Sequence, residues 1–239
     1  MNEREEAIRL AVCVEPRTRR ARGDNLYSKG GSKKPVGGVL WILEDNPETR
    51  NGLAATLADL ADDVRPVESA EEFLDSFDDQ RPACLVVDER LPGMSGTELL
   101  SMLQVQGREL PSVLVTGFAT TQLAVRAMRN GAITVLDKPP SDSSLRQAVV
   151  EALHTDSQRL ASETIRSSAQ AKIDRLSPSE RQVLEMVLEG MPNKQIAGKL
   201  GVCVRTVEAR RSRIYQSTDV GSVAELVRLS IAAGLVDVC

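Results

Sequence analysis

Aromatic side chains make up only 3% of the 239 residues, so any core must be built almost entirely from aliphatic groups. Histidine occurs once, at His154, with no metal-ligand partner nearby in sequence, and it reads as a helix-surface residue. The four cysteines (Cys13, Cys84, Cys203 and Cys239) are far apart and form no C-x-x-C pair. That usage argues against a zinc site and a disulfide framework and suits a reducing compartment. No run of about 18 apolar residues exists, so no membrane span is predicted. The N-terminus lacks an apolar signal core, so secretion is not expected and a cytoplasmic location is.

What is present is ordinary soluble-protein usage, 41% apolar and 27% charged, in a length that suits one large domain or two smaller ones. A net charge of −4 argues, on average, against a nucleic-acid partner, but the charge is unevenly spread. Residues 1–37 are basic (Arg17, Arg19, Arg20, Arg22, Lys29, Lys33, Lys34) and glycine-rich, and read as a disordered extension able to add phosphate contacts.

From Val39 the pattern alternates between strand and helix. Apolar runs at Val39–Leu43, Cys84–Val87, Pro111–Val115 and Ala132–Leu136, with a short second strand at Asp63–Val67, predict five strands. Between them lie helices carrying Leu53/Leu57/Leu60, Phe73/Leu74/Phe77, Leu99/Leu103 and Thr120–Arg129. A last helix begins near Asp142 and carries Leu145, Val149 and Leu153. Ser69, with Glu72 three residues on, predicts a capping box. Strand–helix alternation of this kind implies an α/β fold, a five-stranded, doubly wound parallel sheet of order 2-1-3-4-5.

In a parallel sheet all C-terminal strand ends share one edge. Glu44 and Asp45 follow the first strand, Asp88 the third, Thr116 the fourth and Lys138 the fifth. Asp88 alone could simply cap the next helix. Three carboxylates gathered together repel one another and call for a cation. All-oxygen ligands with room for water suit Mg²⁺. Asp88 is then a nucleophile towards a phosphoryl group, Thr116 a hydrogen-bond donor to a phosphoryl oxygen, and Lys138 a point charge for it. Gly117 leaves the approach unobstructed.

This constellation resembles the receiver domain of two-component response regulators. The acidic pair, the Asp-x-x-x-Pro-x-x-x-Gly loop (Asp88, Pro92, Gly96), Thr116 and Lys138-Pro139 stand in the order and spacing of that family. The resemblance implies that Asp88 accepts a phosphoryl group from a sensor histidine kinase. It implies Mg²⁺ held by Glu44, Asp45, Asp88 and the Arg90 backbone carbonyl, and a cis Lys138–Pro139 bond. Three positions depart from the pattern. Glu44 stands where Asp is common, Val135 where a switch aromatic is frequent, and Pro140 where a bulky apolar residue is usual.

The receiver-like part is placed at 38–155, followed by a partly helical linker at 156–174 that either extends the last helix or acts as a spacer. A second domain, 175–239, opens on Leu176-Ser177-Pro178-Ser179-Glu180, with Ser177 as N-cap, Pro178 at the first helical position and Glu180 closing a capping box. Its helix carries Val183, Leu184, Val187 and Leu188, and Gly190 ends it. Asn193–Leu200 is a second helix, and Gly201-Val202-Cys203 a tight turn. A basic third helix opening at Val204 or Arg205 turns Val207 and Ile214 inward. A fourth helix carries Leu226, Leu229 and Ile231. Two short helices joined by a glycine turn, the second one basic, match a helix-turn-helix.

The second region is similar to LuxR-type DNA-binding domains, through Leu176–Leu184, Gly190, Asn193–Ala197 and Arg205–Glu208. That likeness implies DNA contacts from Lys194, Arg205, Thr206, Glu208, Arg210, Arg211 and Arg213. Cys203-Val204, Arg210 and Ser217-Thr218 depart from the usual residues. Receiver plus this domain is the FixJ-like class, which implies a non-enzymatic transcription regulator that dimerises on phosphorylation and works with DNA, a sensor kinase and RNA polymerase, away from any membrane. Two alternatives are a phosphorylation-independent DNA-binding protein whose receiver only dimerises, and a Mg²⁺-dependent aspartyl phosphatase. The latter typically carries a second Asp where Arg90 stands.

Overall fold

The β-branched and leucine-rich runs pair side by side in a computed structural model that describes residues 37–236. The expectation for residues 1–37 therefore falls, apart from Gly37, outside the described residues. The chain divides into two compact units, the first running to Ala161 and the second starting at Ser162.

In the first unit β1 (Val39–Leu43), β2 (Asp63–Val67), β3 (Ala83–Asp88), β4 (Ser112–Thr116) and β5 (Ala132–Asp137) form one sheet. It is parallel throughout, in the order β2-β1-β3-β4-β5. β1 and β3 are buried along their whole length because helices cover both faces. Alternate residues serve opposite layers, as a period of two requires. Trp41, Leu43, Leu85 and Val87 pack with Phe73 of α2 (Ala70–Ser76), Leu99 and Leu103 of α3 (Gly96–Val105), and Ala127 of α4 (Thr121–Arg129). Leu40, Ile42, Cys84 and Val86 pack instead against Leu57 of α1 (Pro47–Leu57) and Leu145, Val149 and Leu153 of α5. The few aromatics sit together: Trp41 meets Phe73 edge-on with ring centroids 5.2 Å apart, and Phe73 and Phe77 are 5.1 Å apart.

Some local expectations change. Ser69 caps α2 through Glu72 N–H at 3.1 Å, but the Glu72 carboxylate accepts from Glu68 N–H rather than from Ser69, so the box is not reciprocal. α1 ends at Leu57, and Leu60 is buried from the turn that follows. Residues 156–174 take the first of the two forms expected, an extension of the last helix, and are helical throughout rather than in part. α5 is one helix, Asp142–Asp174. Nothing in that tail interrupts it: it holds neither Gly nor Pro, and Ala, Gln, Arg, Lys, Leu and Glu make up ten of its 19 residues. Lys138–Pro139 is cis, as the resemblance implied, and Arg81–Pro82 is cis as well.

The second unit is helical beyond the end of α5. α6 (Pro178–Leu188), α7 (Asn193–Leu200), α8 (Val204–Thr218) and α9 (Val223–Ala232) surround Val183, Leu184, Ile196, Val207, Ile214 and Leu226. Ala169 and Ile173, from the last turns of α5, belong to this core. Ile231 is only half-buried, and Ser230 and Ala233 take the inward positions at that end of α9.

Candidate functional site

The C-terminal edge of the sheet gathers the ionisable groups. β1 and β3 are neighbours on either side of the point where strand order reverses, so Glu44-Asp45 and Asp88 leave the sheet side by side. Glu44 and Asp88 are almost wholly buried, Asp45 is exposed, and carboxylate oxygens of all three lie within 4.8 Å of one another. Lys138 Nζ donates to Glu44 Oε2 and Asp88 Oδ2, both at 2.7 Å. Burial alone would lower the Lys138 pKa, but the two carboxylate hydrogen bonds outweigh it and hold the ammonium above its ordinary value. One ammonium among three carboxylates leaves excess negative charge. Hard oxygen donors at this spacing fit a divalent cation such as Mg²⁺.

The backbone around these groups is held by contacts that motif spacing does not reveal. Asn46 caps α1, its Oδ1 accepting from Glu48 N–H and Thr49 N–H, each at 3.0 Å. One turn into α1, Arg50 Nη1 donates to the carbonyls of Glu44 at 2.6 Å and Asp45 at 3.2 Å, pinning the acidic pair from behind. Arg90 N–H donates to Asp88 Oδ1 at 3.1 Å. Ser95 caps α3, and Glu89 adds to the hold on its first turn, accepting from Thr97 N–H at 2.9 Å and from the Thr97 hydroxyl at 3.0 Å, while Arg126 of α4 donates to the same hydroxyl at 2.9 Å. Gly96 is required sterically: a Cβ there would lie 2.5 Å from the Asp88 carbonyl oxygen and 2.9 Å from Leu114 Cδ1.

Thr116 is buried at the end of β4, and its Oγ1 accepts from Phe118 N–H at 3.2 Å, which leaves its own proton for donation. Lys138 N–H donates to the Thr116 carbonyl at 2.7 Å, so the two side chains arrive on adjacent strand ends. The approach over Gly117 is narrower than expected, because a Cβ there would meet Arg90 Nη2 at 3.0 Å. Val135 is half-buried against the layer of Trp41, Phe73 and Leu99. Phe118, Val125 and Met128 are exposed on or beside α4.

In the second unit α7 and α8 meet at Gly201, whose φ of +63° gives the left-handed turn that a glycine adopts without strain. Val207 and Ile214 face the core as their seven-residue spacing predicts, which turns Arg205, Glu208 and Arg213 outward. Lys194 is exposed, and Thr206 and Arg210 are half-buried. Arg211 differs: its Nη1 donates to Asn193 Oδ1 at 2.7 Å, and Nη2 lies 3.5 Å from the Tyr215 hydroxyl. Ser177 N–H and hydroxyl both donate to Glu180, at 2.9 and 2.7 Å. These bonds hold the buried Glu180 carboxyl below its usual pKa, with help from Arg213 and Arg210. Among the described residues no helix is long and apolar enough to cross a membrane.

An acidic, lysine-bearing pocket on a doubly wound sheet, joined in one chain to a helix-turn-helix, defines a phosphorylation-controlled regulator of transcription. Comparison with known families agrees. Residues 40–150 match the response regulator receiver domain, and residues 174–230 match the bacterial regulatory proteins of the luxR family. Transcriptional regulatory protein FixJ of Azorhizobium caulinodans is 37% identical over 194 residues, 81% of this chain and 92% of that one. FixJ of Rhizobium meliloti is 37% identical over 197 residues, 81% and 95% of the two chains. Among solved structures, the response regulator StyR superposes with a TM-score of 0.73 at 33% identity, covering 82% of this chain and 98% of that one. The chain belongs to the two-component response regulators that join a receiver domain to a LuxR-type DNA-binding domain. That is a family of transcription regulators rather than of enzymes.

Proposed function

We propose that Asp88 is the phospho-acceptor and that its charge state sets the DNA affinity of α8. The observation that carries this reading is Lys138 Nζ, 2.7 Å from both Glu44 and Asp88 in a pocket with excess negative charge. A carboxylate oxygen of Asp88 attacks the phosphorus of a sensor kinase's phosphohistidine, and the P–O bond forms as the P–N bond breaks. Glu44, Asp45, Asp88 and the Arg90 carbonyl would hold Mg²⁺, which when bound offsets charge on the transferring phosphoryl oxygens. Lys138 supplies a further positive charge to that group, and the Thr116 hydroxyl donates to one of its oxygens. The added charge, about −1.5 to −2 by analogy with other phosphoresidues, favours Thr116 turning inward and shifts α4 and β5. The exposed Phe118, Val125 and Met128 offer apolar area on that side for pairing two receivers. A phosphorylated dimer then presents two copies of α8 to half-sites about 34–36 Å apart or a multiple. In this reading DNA and a sensor kinase are partners, RNA polymerase is recruited at the promoter, and the protein acts in the cytoplasm.

The test is phosphorylation with a small phosphodonor and Mg²⁺, read by intact mass and by sedimentation. One acid-labile phosphoryl group on the wild type and none on Asp88→Asn supports the acceptor assignment. Equal labelling of the two rejects it. Turnover of the phosphodonor without retained label favours the phosphatase alternative. DNA affinity and dimer content indifferent to phosphorylation favour the phosphorylation-independent alternative.

A further inference from the structure

The helix-turn-helix is a V whose corner is Gly201-Val202-Cys203. The corner is tied locally: Val202 N–H donates to the Ala197 carbonyl at 3.1 Å and Thr206 N–H to the Cys203 carbonyl at 3.0 Å. Asn193 stands eight residues before Gly201, and Arg211 eight residues after Cys203. At 1.5 Å rise per residue each position lies about 12 Å out along its own arm. The Arg211–Asn193 hydrogen bond of 2.7 Å therefore joins the open end of α7 to the middle of α8 and completes a triangle. Ile196 and Val207 pack inside the V, but aliphatic contacts tolerate sliding, whereas a directional bond at the rim does not. The guanidinium plane is further set by Tyr215 one turn along α8. No side-chain hydrogen bond or salt bridge engages Arg205 or Arg213 among the described residues, and both are exposed.

We infer that Arg211 is not a DNA contact but a positioning residue, which fixes the angle between α7 and α8 so that Arg205 and Glu208 meet base edges in register. This inference rests on the DNA-binding reading of α8 and replaces the expectation that Arg211 touches DNA. An arginine suits the task because its planar fork can hold Asn193 while lying against Tyr215. A lysine supplies the same charge without the fork.

The test uses the full chain with two duplexes: one enriched by the wild type from a random pool, and a scrambled version of it. Arg211→Gln, Arg211→Lys and Asn193→Ala should each lower affinity for the enriched duplex about tenfold, the scale of a lost hydrogen bond to a charged group. Each should leave affinity for the scrambled duplex within about twofold, and the double variant should be no worse than either single one. The slope of log affinity against log salt should stay unchanged, because no phosphate contact is lost. A merely structural role would instead lower binding to both duplexes together, in step with the unfolding midpoint. The inference is overturned if Arg211→Lys keeps wild-type affinity while Arg211→Gln shallows the salt slope by about one unit on both duplexes. It is equally overturned if Asn193→Ala leaves the ratio of the two affinities intact. Failure of the wild type to enrich any sequence would bring down the DNA-binding reading itself, which those two outcomes leave standing.

Discussion

Asp156 offers the sharpest test of how α5 is fastened to the sheet. It is fully buried, one turn beyond Ala152 and Leu153, which pack on the Leu40 and Ile42 face of the sheet. Its Oδ1 accepts from Arg81 Nη1 and its Oδ2 from Ala83 N–H, both at 2.7 Å. Asp156→Ala strands the Arg81 guanidinium, whose side chain is only 14% exposed, and orphans the backbone N–H that starts β3. Removing one partner of a buried pair costs about 3–5 kcal/mol. The lower end applies here, because Arg81 Nη2 keeps the Glu109 carbonyl at 2.9 Å. Asp156→Asn retains an acceptor for one of the two donors and should cost about half as much. The surface pair Arg159–Glu109 is the control: Glu109 is 72% exposed, so Glu109→Ala should cost less than about 1 kcal/mol. The single tryptophan, Trp41, is buried in the first unit, so its fluorescence in a urea titration reports that unit. With a slope of about 1–3 kcal/mol per molar, a loss of ~3 kcal/mol moves the midpoint by 1–3 M. Equal midpoints for Asp156→Ala and Glu109→Ala would refute the claim that the buried pair anchors the helix.

Gly96→Ala should destabilise the first unit by about 1–3 kcal/mol and slow phosphorylation, since the new methyl meets the Asp88 carbonyl. Gly52→Ala, with open space around it in α1, should stabilise by up to about 1 kcal/mol in the same titration. The second unit should weaken in acid. Glu180 has a folded pKa below its unfolded value of about 4.3, so its contribution is complete above that pH and is lost as pH falls through the folded value. Hydrogen exchange of α6 amides should show that loss in the wild type and not in Glu180→Gln. In α8, Arg205→Ala or Glu208→Ala should reduce discrimination at one base pair by about 1–3 kcal/mol. Arg213→Ala, and to a lesser degree the half-buried Arg210→Ala, should weaken all sequences alike and shallow the salt slope, by about one unit for Arg213. A salt titration on enriched and scrambled duplexes separates the two behaviours.

Much of this architecture is legible along the chain because its signals are local. Unbroken apolar runs such as Val39–Leu43, buried at every position, and the turn residues after each strand announce a parallel sheet, and parallelism puts every strand end on one edge. That is why Glu44, Asp45, Asp88, Thr116 and Lys138 could be grouped although they span nearly a hundred positions. Gly131, just past α4 with φ of +93°, and Gly201 carry their own conformational reason for ending a helix, and the seven-residue spacing of Val207 and Ile214 carries its own for facing the core.

What only the tertiary structure decided are contacts between side chains whose sequence separation carries no periodic signal. Nothing near Arg50 says that it will grip the carbonyls of Glu44 and Asp45, nor near Arg126 that it will reach Thr97. Asp156 looks like one more acid in a polar helix until the packing of α5 carries it into the sheet's lower edge beside Arg81. Arg211 shows the limit most plainly. A helical wheel places it beside outward arginines, and its basic character reads as affinity for phosphate. The fold sets Asn193 2.7 Å from its guanidinium and gives it a partner within the protein. Residue type and spacing determine which elements form and which faces are apolar, because those depend on neighbours a few positions away. Whether a charged side chain pairs within the molecule or stays open to a ligand depends on what a distant element brings to it, and that is settled only when the elements pack.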